Sequence, residues 1–181
     1  MEKPNTKEAL DCLKLEVENI LTPLGYEVVT LEKSSNGNQT LALYIDFLNN
    51  TDMKKHIGLE DCIAVNKAVD PLFETTNLIS GSYSLEVSSP GIERPLKKPT
   101  DFDRFLGHKV RIHTFRSLQI EELENNDYWV KNKKQKNFIG ILEGRTQDGQ
   151  KIKVRIDKES VTIPLCLVSK SHLAFVPEEN L

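Results

Sequence analysis

Apolar positions in the first half of the chain follow helical and strand spacings in turn. In "NTKEALDCLKLEVENILTPLG", Ala9, Leu10, Leu13, Val17, Ile20 and Leu21 share one helical face. Asn5 or Thr6 is placed to cap that helix, Glu8 sits in its first turn, and a stop is expected near Pro23 to Gly25. "YEVVTLEK" and "QTLALYIDF" are rich in β-branched and aromatic residues, and the Asn-Gly pair of "SSNGN" between them predicts an antiparallel hairpin. Helical spacing returns in "GLEDCIAVNKAVDPLFE", where Leu59, Cys62, Ile63, Val65, Ala68, Val69 and Leu72 are apolar and Pro71 is expected to end or bend the helix. "YSLEVSS" reads as a third strand. The order α-β-β-α-β predicts helices layered on a small three-stranded sheet.

The second half has a different texture. "HKVRIHTF", "FIGILEGRTQ", "QKIKVRID" and "ESVTIPLCLVSKSHLAFV" are short strand-like runs parted by polar turns, and "TQDGQ" carries an Asp-Gly hairpin signal. Such a series predicts a small barrel or sandwich. Residues 116–137 fit it poorly, being long, polar and ordered as acids first and lysines after, so they are assigned to an extended loop with a helical turn near "SLQIEELE". The fold class is therefore α+β. An N-terminal α/β domain spans residues 1–92, a linker 93–98, and a C-terminal all-β domain 99–181.

Charge sharpens this division. The net charge is −3 over 181 residues, but residues 1–92 hold 7 basic and 14 acidic side chains (net −7), and residues 93–181 hold 17 and 13 (net +4). A basic module behind an acidic one points to different partners, a polyanion among them. Cys12, Cys62 and Cys166 are odd in number, form no C-x-x-C pair and are expected to be reduced and buried, with no metal role. No apolar run is long enough for a membrane span, and the opening "MEKPNTKEALDCLK" lacks the apolar stretch of a secretory leader, so a cytoplasmic location is expected.

Catalytic patterns are missing. Ser88 and Ser89 lack the glycines and helix of a nucleophile elbow, and Pro90 follows directly. Neither Gly-rich phosphate cradle occurs. His56, His108, His113 and His172 are scattered, and the pairs Glu60-Asp61 and Glu121-Glu122 fall on solvated faces. General acid-base chemistry has no visible home, and no cofactor, metal or small-molecule substrate is expected.

"SYSLEVSSPGIERPL" is the exception to this plainness. Pro90 fixes its own φ and drives Ser89 to an extended conformation, Gly91 allows a positive φ, and Pro95 restrains Arg94. A stiff turn of this kind would hold Glu93 and Arg94 as an ion pair or a directed guanidinium at the domain boundary, or would simply be a turn whose charges stay in water.

This stretch resembles the signature of the ribosome maturation factor RimP family, matching at residues 83, 85–91 and 94–96, with Ile92 and Glu93 at its variable places. "KNFIGILEG" and "VTIPLCLVSKSHL" are similar to the family's barrel segments, so the resemblance covers nearly the whole chain. It implies an SH3-like or Sm-like C-terminal barrel and a non-catalytic factor in ribosome biogenesis. Its implied partner is the immature small (30S) ribosomal subunit, through rRNA and ribosomal protein near the decoding region. The 116–137 segment departs from the family pattern by its length.

On that basis the elbow Ser88, Ser89, Pro90, Gly91, Glu93, Arg94 and Pro95 is expected to set the presentation of the two modules. Arg94, Lys97, Lys98, Arg104, Lys109 and Arg111 are expected to meet rRNA phosphates, and the acidic half to face water or a basic ribosomal protein. Lys131, Lys133, Lys134 and Lys136, near Tyr128 and Trp129, form either an electrostatic arm with a stacking surface or a solvated loop. The protein is expected to be a monomer that engages no membrane. The alternative is a general RNA-binding or translation-regulating module.

Overall fold

A computed structural model describes residues 6–34, 40–52, 54–76, 83–122, 130 and 132–175. The chain forms two compact units, Met1–Pro90 and Gly91–Leu181.

The first unit carries α1 (Thr6–Leu21), β1 (Tyr26–Ser34), β2 (Thr40–Phe47), α2 (Leu59–Thr75) and β3 (Ser84–Ser88). A 3-10 turn over Thr22–Leu24 and Gly25 at φ 84° close α1, as the Pro-Leu-Gly sequence requires. β1 and β2 are antiparallel, whereas β3 pairs in parallel with β2, so β2, α2 and β3 form a crossover unit and the sheet order is β1-β2-β3. The expected turn at 35–39 lies outside the described residues. Leu13, Val17 and Leu21 of α1 pack with Leu41, Leu43 and Ile45 of β2 and with Val65, Val69 and Phe73 of α2.

Two expectations for α2 are corrected. Pro71 does not end the helix, which runs on to Thr75 and buries Phe73 two residues later. Leu59 is 77% exposed and Ile63 is also exposed, so the core stripe is Val65, Val69, Phe73, and the helix begins with its apolar residue in water. Asp61 holds that start together: its carboxylate accepts the Gly58 N–H at 2.8 Å and the Tyr26 hydroxyl at 2.7 Å. The bond to Asp61 raises the Tyr26 pKa above 10.0, with burial acting in the same direction.

The second unit, expected to be all β, opens with a short helix, α3 (Pro99–Arg104). β4 (Lys109–Thr114), β5 (Asn137–Arg145), β6 (Lys151–Ile156), β7 (Glu159–Pro164) and β8 (Val168–Leu173) follow. They form a five-stranded antiparallel sheet in the order β7-β6-β5-β4-β8. The closed barrel expected from the sequence is not seen as a continuous ladder, because the end strands β7 and β8 do not pair. Even so, one core draws on every strand: Val110, Ile112, Phe138, Leu142, Ile152, Val154, Val161, Ile163 and Leu173 point inward, joined by Leu96, Phe102 and Phe105. The long run from 159 onward breaks into β7 and β8 at a 3-10 turn over Leu165–Leu167. In the 116–137 segment the helical turn is a 3-10 turn at Ile120–Glu122, with Leu118 buried and Arg116 paired bidentately to Glu122. Residues 123–129 and 131 lie outside the described structure.

Neither Cys12 nor Cys166 is buried as expected; both are exposed, and Cys62 is half-buried with its thiol pKa raised by burial. Among the described residues no helix is long and apolar enough to cross a membrane.

β5 crosses closely over β6 at Gly140, where a Cβ would stand 2.3 Å from the Arg155 carbonyl oxygen and 2.9 Å from its carbon. Those atoms are backbone in a paired strand and cannot step aside. Gly140→Ala is expected to destabilise the second unit by about 2–3 kcal/mol, the upper part of the usual overpacking range, measured as a fall in the midpoint of urea unfolding.

Candidate nucleic-acid interface

Of the residues singled out in the sequence, Arg94 moves furthest from its expected role. It is 5% exposed, and its Nη1 donates to Asp101 Oδ1 at 3.2 Å and to the Pro95 carbonyl at 3.2 Å. The guanidinium also lies 5.0 Å from the centroid of the buried Phe105 ring. Asp101, 4% exposed, completes the arrangement by accepting the backbone N–H groups of Lys97 and Lys98 at 2.8 Å each through Oδ2. Arg94 is therefore an internal ion-pair partner, and its burial removes it from the side chains that can meet a phosphate.

The backbone around it belongs to the sheet. Pro95 bridges His172 of β8, the Leu96 N–H donates to the Ser171 carbonyl at 2.9 Å, and the Leu173 N–H donates to the Arg94 carbonyl at 2.9 Å. Residues 94–96, expected within the linker, thus cover the outer edge of β8. Proline at 95 suits an edge position because no ladder donor is needed from it.

The other elbow residues are local. Ser88 ends β3 beside Tyr44, Ser89 and Pro90 are half-buried, and Gly91 has φ 74°, the left-handed conformation that favours glycine. Glu93 is exposed and pairs with Arg111 at 3.7 Å, both side chains about half in water.

Lys109 and Arg111 do share a surface. Burial alternates strictly along β4, so Lys109, Arg111 and His113 face outward while Val110, Ile112 and Thr114 face the core. Register sets Arg111 between Ile139 of β5 and His172 of β8, and His113 between Asn137 and Lys170. The His113 ring is fixed by Asn137, with Nδ1 2.6 Å from Oδ1. Lys109, Arg111 and Lys170 form the cationic part of the face, with the two imidazoles between them. Arg155, further along the sheet on β6, is paired with Glu143 at 3.2 Å.

Lys97 is exposed, and Lys98 is half-buried at the start of α3. Arg104 lies 4.9 Å from the Phe105 ring centroid and is half-buried. Lys133 and Lys134 are exposed, Lys136 Nζ donates to the Phe115 carbonyl at 3.3 Å, and Lys131, Tyr128 and Trp129 fall outside the described residues. Sequence reasoning passed over Asp101, Phe115, Lys170 and His172. The alternation 109, 111, 113 was the available signal for the face; nothing local marked Asp101, whose partner is seven residues away in an irregular segment.

The amino-acid sequence was compared with protein-family models. The RimP N-terminal domain matches residues 16–93. This part of the chain belongs to the RimP family. The match takes in α1 from Glu16, the whole three-stranded sheet and the "YSLEVSSPGIE" stretch, and it points to ribosome maturation factors in general. Among the described residues no group of histidine, cysteine or carboxylate side chains could hold a metal ion.

The covered edge of β8 makes two outcomes testable. Removing one member of a buried ion pair strands the other, so Arg94→Ala is expected to cost about 3–5 kcal/mol in the second unit, seen as faster hydrogen exchange of β4 and β8 amides. The His172 imidazole is held below its ordinary 6.5, chiefly by burial, with Lys170, Lys97 and Arg111 acting the same way and Glu93 opposing. The unfolded chain then binds a proton at 6.5 that the folded chain takes only at lower pH. His172's contribution is complete above about pH 6.5 and is lost as pH falls towards the folded value, and His172→Gln should flatten that slope in urea titrations.

Proposed function

We propose that this protein is a non-catalytic assembly factor that binds the immature small ribosomal subunit and promotes its maturation. The observation that carries the reading is the RimP N-terminal domain at residues 16–93. It is supported by the outward face of β4 and β8, which carries Lys109, Arg111 and Lys170, with uncharged Ile139 and Asn137 of β5 opposite Arg111 and His113. Such a face suits phosphate oxygens, which position a protein on rRNA without reporting sequence. Lys97, Lys98, Arg104, Lys133, Lys134 and Lys136 extend the positive surface of the second unit, which acts as an SH3-like module. The acidic first unit, net −7, is suited to a basic ribosomal protein. The factor acts in the cytoplasm as a monomer, near the decoding region.

Gradient sedimentation of a lysate at low and high salt tests this. The protein is expected to travel with free small subunits and to leave them as salt rises. A Lys109→Gln, Arg111→Gln double variant should bind more weakly and lower the salt slope by about 2, one for each phosphate contact removed. Association with all ribosomal particles alike would favour a general RNA-binding module, and association with none would overturn the proposal.

A further inference from the structure

The stripe on β4 continues one step beyond the strand. Burial alternates through residue 115, so Lys109, Arg111, His113 and then Phe115 stand on one side of the chain. Phe115 is 68% exposed. Single apolar side chains in water are ordinary and need no function. Two features separate this one from Leu106 and Leu59, which are also exposed.

Its backbone is held from two directions. The Phe115 N–H donates to the Leu167 carbonyl at 3.0 Å, and its own carbonyl accepts Lys136 Nζ at 3.3 Å. On the preceding residue, fully buried Thr114 donates from its N–H to the Lys136 carbonyl at 2.9 Å and from its hydroxyl to the Arg116 carbonyl at 2.6 Å. The ring is thus presented by a fixed main chain. A rigid aromatic loses little conformational freedom when a ligand covers it.

Its surroundings are cationic. Lys136 lies beside it, Arg111 and Lys109 precede it at alternate positions, and Lys170 flanks His113. β4 ends at Thr114 and Phe115 follows in a bend, so the stretch from Lys109 to Phe115 spans at most about 20 Å, a length over which a nucleic-acid backbone can run with a base at one end. Glu93 with Arg111, Glu122 with Arg116 and Glu143 with Arg155 are each engaged by an arginine.

We propose that the β4 stripe is a track for single-stranded RNA, with phosphates on Lys109 and Arg111 and an unpaired base stacked on Phe115. The inference rests on the reading that this face meets RNA, and it narrows the ligand from RNA in general to an unpaired segment. In a duplex the faces of internal bases are already occupied by neighbours, so an aromatic ring gains nothing there. Stacking distinguishes the track from phosphate attraction alone, which duplex and single strand both provide.

Fluorescence anisotropy of the full-length protein with a labelled short oligouridylate and with a labelled RNA hairpin duplex tests the assignment. Phe115→Ala is expected to weaken oligouridylate binding about 5- to 150-fold, the range for loss of one stacked base, with duplex binding and the salt slope unchanged. Phe115→Tyr should restore binding, whereas Lys109→Gln should lower the salt slope by about 1 on both ligands. Equal affinity of Phe115→Ala and the parent for oligouridylate would overturn the proposal. So would a parallel loss on both ligands in a variant whose amide exchange matches the parent. Sedimentation of the same variants separates the two readings. A parent that binds oligouridylate through Phe115 but never co-migrates with subunits keeps the track and sinks the assembly role. A parent that co-migrates and is indifferent to Phe115 does the reverse.

Discussion

Asp101 spends both carboxylate oxygens inside the second unit, and the placement of the segment before α3 depends on it. One oxygen neutralises Arg94; the other satisfies two successive backbone donors, from Lys97 and Lys98. A buried arginine and a buried aspartate each lose several kcal/mol of hydration, and their mutual attraction offsets this only when the remaining donors and acceptors are also matched. Here they are matched: among the described residues no buried side-chain nitrogen or oxygen lacks a hydrogen-bond partner. The reward is positional. With Arg94 turned inward, its carbonyl and the Leu96 N–H reach β8, Leu96 enters the core, and Pro95 closes the edge at His172. An uncovered β8 would present an unpaired strand edge, a template for unwanted association.

Arginine and lysine divide the work in this unit. Of its six arginines, Arg94, Arg111, Arg116, Arg145 and Arg155 have carboxylate partners, and Arg104 lies on Phe105. The Asp103 and Arg145 pair has both Arg145 Nε and Nη2 on one carboxylate, which holds the Asp103 pKa below 3.8. Planar guanidinium groups suit such bidentate fixing, whereas an ammonium on a flexible stem suits a diffuse polyanion. The charge that the second unit offers outward is therefore carried in large part by lysine. Recognition built on lysine is sensitive to salt and indifferent to sequence.

Regular elements were legible because their signals are local. Helical spacing, the Asp-Gly turn and period-two runs located two helices and nearly every strand, down to Gly149 at φ 69° in the β5–β6 turn. Errors arose where a distant partner decides. Pro71 lies in the last turns of α2, where Phe73 packing outweighs the helix-breaking tendency. The run from 159 to 175 looked continuous because its apolar content hides the 3-10 corner at Leu165–Leu167. At the candidate site, β4 showed its cations openly, but charge alone could not separate Arg94 from Lys109. One guanidinium finds Asp101 and Phe105 and is buried; the neighbouring ammonium, on an outward strand position, finds water.

The Glu93 and Arg111 pair shows why this face can exchange partners. Its separation is 3.7 Å, and both side chains are about half exposed, so water screens the attraction and little stability is at stake. A phosphate arriving at Arg111 competes with a weak and solvated carboxylate, whereas at Arg94 it would have to displace a buried one that also holds two backbone donors. The same sequence stretch thus contains two acid-arginine pairs of opposite character within a few residues. The buried pair fixes the edge of the sheet, and the exposed pair leaves Arg111 available for exchange. Glu93 also bears on His172, where it opposes the desolvation that keeps the imidazole neutral. A ligand that drew Arg111 away would leave that carboxylate facing His172 with less competition, and the imidazole would then take its proton more readily, adding positive charge beside the phosphate that caused the exchange.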